Sequence, residues 1–212
     1  MYENRQNAGK ELAKRLKTLK DEGKISDPVV VALPRGGVPV GCEIAKELNA
    51  PLDLLFVKKI PAPGNDELAI GSVSENGIVF LNQELVDKFG VDEAYLQEKG
   101  IEKIQEMARL RDKYKHEPVP LEGKDVILVD DGIATGASMY LAAQSIARDL
   151  PRSIIIAAPV APNDENILNM LKSVSHHLEI LNTPDMFMSV GRWYDDFHQL
   201  SDKEVNELLR NC

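Results

Sequence analysis

The sequence predicts an α/β fold: an open, mainly parallel central sheet flanked by helices. Three observations predict it. Short continuous apolar runs recur at Val29–Leu33, Leu52–Val57, Val126–Val129 and Ile154–Val160, as in strands covered on both faces. Segments with apolar residues at helical spacing lie around and between them. The opening order of strand, glycine turn, helix and strand is the unit that builds a parallel sheet.

The elements follow in order. From about Asn4 to Glu22, Ala8, Leu12, Leu16 and Leu19 recur at helical spacing with lysines and arginines on the other faces, and Gly23 ends the helix. Val29 to Leu33 is the first strand. Pro34-Arg35-Gly36-Gly37 interrupts the chain, Val38 to Leu48 is helical, and Leu52 to Val57 is the second strand. Pro61-Ala62-Pro63-Gly64-Asn65-Asp66 reads as a loop by composition, and Ile78 to Leu81 as a short strand beyond the Asn76-Gly77 turn. Asp92 to Lys115 is a charged helix with Ile101, Ile104 and Ala108 on one side and Gly100 as a point of bending. Val126 to Val129 is a buried strand, followed by a turn and a helix to about Leu150. Ile154 to Val160 is a strand, Asn163 to Lys172 a helix, Leu178 to Leu181 a last strand and Asp202 to Arg210 a closing helix. No repeat or low-complexity linker divides the chain, so one domain over residues 1–212 is expected.

Composition excludes several classes. With 43% hydrophobic and 28% charged residues in 212, the chain is not wholly disordered. No apolar run approaches the roughly 18–20 residues of a membrane span, and Met1-Tyr2-Glu3-Asn4-Arg5 lacks the basic-then-apolar pattern of a secretion signal. The two cysteines, Cys42 and Cys212, make neither a disulfide framework nor zinc spacing, so a cytoplasmic protein with reduced thiols is expected. A net charge of −9 without a sustained basic stripe argues against nucleic-acid binding.

The segment richest in chemistry runs Val126-Ile127-Leu128-Val129-Asp130-Asp131-Gly132-Ile133-Ala134-Thr135-Gly136-Ala137-Ser138. Two carboxylates stand where a buried strand ends, the position at which open parallel sheets bind ligands. Gly136 permits close backbone approach, Thr135 and Ser138 add hydroxyls, and the free amides of a helix N-terminus suit a phosphate. Carboxylates do not hold phosphate directly; adjacent acceptors suit the vicinal hydroxyls of a sugar. Together they read as a cradle for a phosphorylated ribose. Neither Gly-x-x-x-x-Gly-Lys-Ser/Thr nor Gly-x-Gly-x-x-Gly occurs, and Asp130-Asp131 lacks the Asp-x-Asp spacing of an aspartyl-phosphate phosphatase.

This segment resembles the phosphoribosyl-pyrophosphate (PRPP) motif of type I phosphoribosyltransferases. The rest of the chain is similar to a family of predicted phosphoribosyltransferases of bacteria and archaea. The matching stretches are Asn4-Arg5 with Ala8-Gly9, Leu33 through Val40, Lys59-Ile60 through Pro63 to Glu67–Gly71, Pro159–Pro162, and Trp193-Tyr194 with Phe197. The resemblance implies a core of about 25–162 with a small hood from about 1–24 and 175–212. It implies that Asp130 and Asp131 hold the ribose hydroxyls, while the turn Gly132, Ile133, Ala134, Thr135, Gly136, Ala137 and Ser138 takes the 5′-phosphate. Arg35, Gly36 and Gly37 resemble the pyrophosphate loop, which implies a cis peptide at Pro34–Arg35. The residues agree with that role, since two glycines before a helix expose amides and Arg35 adds a forked cation.

Lys58 and Lys59 stand in the place of the flexible catalytic loop, with Glu67 as candidate proton acceptor and Phe187 as candidate base-stacking ring. Lys58 and Pro61 replace the arginine and glycine common in the family. Ala134 stands where 6-oxopurine enzymes place an acid, and no lysine lies on Ile154–Val160, which argues against guanine or hypoxanthine as acceptor. The implied reaction moves the 5-phosphoribosyl group of PRPP to a nitrogenous base and releases pyrophosphate. Mg²⁺ would be held by substrate oxygens and water rather than directly by the acids. The alternative is a non-catalytic PRPP- or nucleotide-sensing regulator with the same cradle. The oligomeric state, a homodimer included, and the acceptor stay open.

Overall fold

Alternate residues of the apolar runs face two different cores, and that requirement builds the sheet. In the computed structural model, Val30, Ile127, Val129, Ile155 and Ala157 belong to one buried cluster and Val29, Val31, Val126, Leu128, Ile154 and Ile156 to another. The structure describes residues 1–114 and 116–212, with Glu67 by its backbone alone; Lys115, expected to end the long helix, lies outside the described residues. The chain runs α1 (Arg5–Asp21), β1 (Pro28–Ala32), α2 (Gly37–Leu48), β2 (Leu52–Leu54), β3 (Val57–Ala62), β4 (Asn65–Ser74), β5 (Val79–Leu81), α3 (Gln83–Lys88) and α4 (Glu93–Tyr114). It continues through β6 (Asp125–Val129), α5 (Ala137–Ala147), β7 (Ser153–Val160), α6 (Glu165–Lys172), β8 (His177–Asn182), a 3₁₀ turn at Val190–Trp193 and α7 (Asp202–Arg210).

Five strands pair in parallel in the order β2-β1-β6-β7-β8. From β1 the chain crosses through α2 to β2 on one side, whereas β6 lies on the other side of β1 and leads through α5 to β7. The strand order therefore reverses between β1 and β6, and their carboxyl ends open the crevice where such sheets bind ligands. The two motifs of the sequence follow these two strands, and Leu33 N donates to Val129 O (3.0 Å) where they part.

Local rules account for the element ends. Asn4 caps α1, its side chain accepting from Asn7 N at 2.9 Å, and Gly23 at φ +77° follows the helix. Asp164 caps α6, and Ser201 with Glu204 forms a capping box at α7. No described helix is long and apolar enough to cross a membrane.

Four expectations change. The Pro61–Asp66 loop is instead a hairpin, in which β3 and β4 pair antiparallel up to Ala62↔Asn65 around a turn with Gly64 at φ +73°. Buried Ile60, Ile70 and Val73 hold it against the core, and Pro61 is accommodated on an edge strand at a register shift. The run Leu52–Val57 splits, because Leu55 N still donates to Ala32 O while Val57 starts the second sheet, β3-β4-β5. Helix α4 runs unbroken through Gly100, and Ile101 is 58% exposed, because Gly100, Ile104, Met107 and Tyr114 take the inward stripe. The last strand expected at Leu178–Leu181 forms, as residues 177–182, but it hydrogen-bonds into the central sheet beside β7 although it lies in the 175–212 stretch expected to build the hood. Helix α3 went unread because its six residues are too few to show a period.

Leu128 is fully buried on the α5 side of β6. Leu128→Ala is expected to lower stability by about 2–5 kcal/mol, read as a shift in urea midpoint at unchanged slope.

Candidate active site

Two loops meet at the crevice. After β1 the Pro34–Arg35 peptide bond is cis, and α2 starts at once. Gly37 N donates to Leu33 O (2.9 Å) and Val38 N to Arg35 O (3.2 Å), so of the two glycine amides only that of Gly36 lacks an acceptor among the described residues. Both glycines are demanded by proximity. A methyl group on Gly36 would lie 2.2 Å from Oδ2 of Asp131, and one on Gly37 would lie 2.7 Å from Val129 O. The loop and the acid pair are thus packed against each other.

The acids are tightly held. Oδ1 of Asp130 accepts from Asp131 N at 2.8 Å, and Oδ2 of Asp131 accepts from Arg5 Nε at 2.7 Å. Arg5 is itself buried, donates through Nη1 to His198 O (3.0 Å) and lies 3.9 Å from the centre of the Phe197 ring. Tyr194 stacks on Phe197 and donates its hydroxyl to the carbonyl of Asp131 (2.5 Å). Burial raises the Asp130 carboxyl well above the usual carboxylate range, and the adjacent Asp131 adds to the rise. Burial also raises Asp131, with Arg5 opposing. The Tyr194 hydroxyl is pushed up by burial first and Asp131 second, so it stays a donor.

Beyond the acids, Ile133 N donates to Val160 O (2.8 Å), and Val190 packs so close to Gly132 that a methyl group there would meet it at 2.5 Å. Gly136 sits at φ +75° as the cap of α5 without a side-chain partner, and no described group accepts from the amides of Thr135 through Ser138. Free amides at a helix start make an anion site. Ala134 and Thr135 are exposed, and Ala137 and Ser138 half-buried.

A cavity of about 530 Å³ gathers Arg5, Arg35, Gly36, Lys58, Tyr114, Asp130, Asp131 and Phe197 on its walls. Arg35 is turned toward the chain's last helix, bonding Leu200 O (2.8 Å) and Asp202 (3.1 Å). Lys59, next along β3, is exposed and not among the lining residues. Phe187 is half-buried and does not line it, and the Glu67 side chain lies outside the described residues. A larger cavity, about 810 Å³, lies elsewhere against Asp53, Glu75 and Arg111. Those charges already satisfy one another, Arg111 bonding Glu75 at 2.7 Å and Asp53 at 3.4 Å, whereas the smaller cavity carries the acid pair, Arg35 and Lys58 on its walls.

A family model described as phosphoribosyl transferase domain matches residues 1–175. The chain belongs to the phosphoribosyltransferase family. Two Mycobacterium tuberculosis proteins, from strains CDC 1551 and H37Rv and both named as candidate phosphoribosyl transferases, are 37% identical over 211 residues, 99% of this chain. The chain spans 46% of the length of those relatives. A crystal structure of the protein TT1426 from Thermus thermophilus is 34% identical, with a TM-score of 0.80 over 100% of this chain and 98% of that one. The open, mainly parallel sheet expected from the sequence is therefore that of a phosphoribosyltransferase.

Sequence reasoning passed over Arg5, Tyr194 and Phe197 as residues at the acid pair, although all three stood in the stretches that match the family. Their signal was only that a charge and two rings recur near the ends of the chain, and nothing local says that the ends meet.

The raised Asp130 carboxyl carries a stability cost. A folded-state pKa above the unfolded one means that this group's contribution is full at low pH and is lost as pH rises from about 4 through the folded value. Asp130→Asn keeps the acceptor for Asp131 N and removes that loss. The variant is expected to be more stable than the wild type by about 1 kcal/mol near neutral pH, or about 2–4 °C. Its advantage should shrink toward pH 5 in thermal melts.

Proposed function

We propose that this phosphoribosyltransferase moves the 5-phosphoribosyl group of PRPP to a nitrogenous base and releases pyrophosphate. The observation that carries the reading is the meeting, on one cavity, of a carboxylate pair and the Arg35-Gly36 loop, with an uncapped helix start following the acids in the chain though not among the lining residues. Three ligand chemistries are matched by three sets of groups. Vicinal hydroxyls donate to Asp130 and Asp131, the 5′-phosphate takes the free amides of Thr135 through Ser138, and the pyrophosphate takes the Gly36 amide. Arg35 and Lys58 supply the positive charge that a polyanion needs on a chain of net charge −9.

Among the described residues no group of three or more His, Cys, Asp or Glu side chains is arranged to hold a metal ion. Two carboxylates beside a polyphosphate site nevertheless fit magnesium, which keeps several waters and draws most of its oxygens from the substrate. When bound, it would neutralise charge on the departing pyrophosphate, with Asp130 and Asp131 holding its water and the sugar hydroxyls. The chain's own work is to fix the ribose, so that positive charge developing at C1 lies beside the acids, and to keep water from that carbon. Lys58, on the cavity wall, stabilises the charge that leaves.

The test is pyrophosphate release from labelled PRPP across a panel of purine, pyrimidine and pyridine bases. At least one base should support turnover, and Asp131→Asn should lower kcat/KM by about 100-fold or more. Tight PRPP binding without turnover on any base would assign the sensor role instead. Lys58→Ala should cost about tenfold or more in kcat/KM and Lys59→Ala less than about threefold; equal effects would overturn the assignment of Lys58.

A further inference from the structure

Each acid of the pair has one oxygen already committed. Asp130 spends Oδ1 on the Asp131 amide, and Asp131 spends Oδ2 on Arg5 Nε. No described group donates to Oδ2 of Asp130 or to Oδ1 of Asp131, and neither is sealed from solvent, the only buried side-chain oxygen or nitrogen without a partner among the described residues being Ser72 Oγ. The commitment of Asp131 is made from far away in the chain, by a residue 126 positions earlier.

Arg5 is fixed on three sides. Its Nε meets Asp131, its Nη1 meets His198 O at 3.0 Å, and its flat face lies on Phe197. Phe197 is held in turn by Tyr194 and by Gly191, where a methyl group would come within 2.8 Å of the ring. A guanidinium so placed has one orientation, and a lysine would keep the charge while losing the fork and the stacking.

We propose that Arg5 is the positioning residue of the ribose cradle: by taking Oδ2 of Asp131 it turns Oδ1 of that acid, together with Oδ2 of Asp130, toward the two vicinal hydroxyls of the sugar. This rests on the PRPP reading above. It assigns to the start of the chain, clamped by the tail, the task of distinguishing a dihydroxylated sugar phosphate from a bare polyphosphate. Without Arg5 the Asp131 carboxylate is free to rotate against Gly36, and its second acceptor is no longer aimed.

The test is calorimetric binding of PRPP and of inorganic pyrophosphate, with magnesium, to the full chain and to Arg5→Met and Arg5→Lys. Arg5→Met should weaken PRPP by about tenfold or more while leaving pyrophosphate within about twofold, and Arg5→Lys should recover part of the loss. Equal weakening of both ligands, or no change in either, would show that Arg5 only holds the ends of the chain together and would overturn the inference. If Arg5→Met does not fold, Arg5→Lys decides alone, by a loss confined to PRPP or shared with pyrophosphate. A wild-type chain that binds pyrophosphate but not PRPP sinks the PRPP reading itself, and this inference with it.

Discussion

Two neighbouring carboxylates at the end of a buried strand are an unfavourable arrangement, and the site is organised around holding them there. Desolvation and mutual repulsion both favour protonation. Against that the protein sets the Arg5 guanidinium, itself buried, and the amide of Asp131. Replacing such a pair by apolar residues is commonly neutral or stabilising, whereas removing one partner is costly. The pair is therefore a poor source of stability. The glycine at position 36 follows from the same pair, because no side chain fits between the loop and the Asp131 carboxylate.

The two ends of the chain close over this point. Tyr2 pairs with Tyr194 as an isolated bridge, its amide donating to Trp193 O (2.8 Å), and Asp195 N and Asp196 N return to Tyr2 and Glu3 carbonyls at 2.9 Å. Tyr2 OH reaches Pro159 O and accepts from Asn182, which ties the same bridge to β7 and β8. Farther along, Asp202 at the start of α7 collects Arg35, Lys113 and the Tyr114 hydroxyl. Thus α4 and the tail both bear on the arginine of the Arg-Gly-Gly loop.

What was misread in the sequence was misread for identifiable reasons. Pro61-Ala62-Pro63-Gly64 has a loop's composition, yet the strands on either side carry buried apolar residues that pair across it, and prolines on an edge strand lose little. Ile101 lies near the helical stripe expected of α4, but the helix turns a different set inward because the hairpin and the body of the protein approach it from the Ile104, Met107 and Tyr114 side. Two glycines promised two open amides, and one of them closes the first turn of α2. For α4 the partner that decided the outcome was distant, whereas the hairpin and the Gly37 amide were decided by near neighbours, Asn65 opposite Ala62 and the carbonyl of Leu33.

The sequence by itself determined the parallel sheet, the placement of the acid pair at a strand end and the family. Each is written locally: apolar runs for doubly covered strands, and a contiguous thirteen-residue motif for the acids and the helix start. Only the tertiary structure decided that Arg5 and Phe197 stand at the acids, that Lys58 and not Lys59 lines the cavity, and which oxygen of each acid stays open. Those depend on contacts between residues far apart in the chain, and no local pattern encodes them.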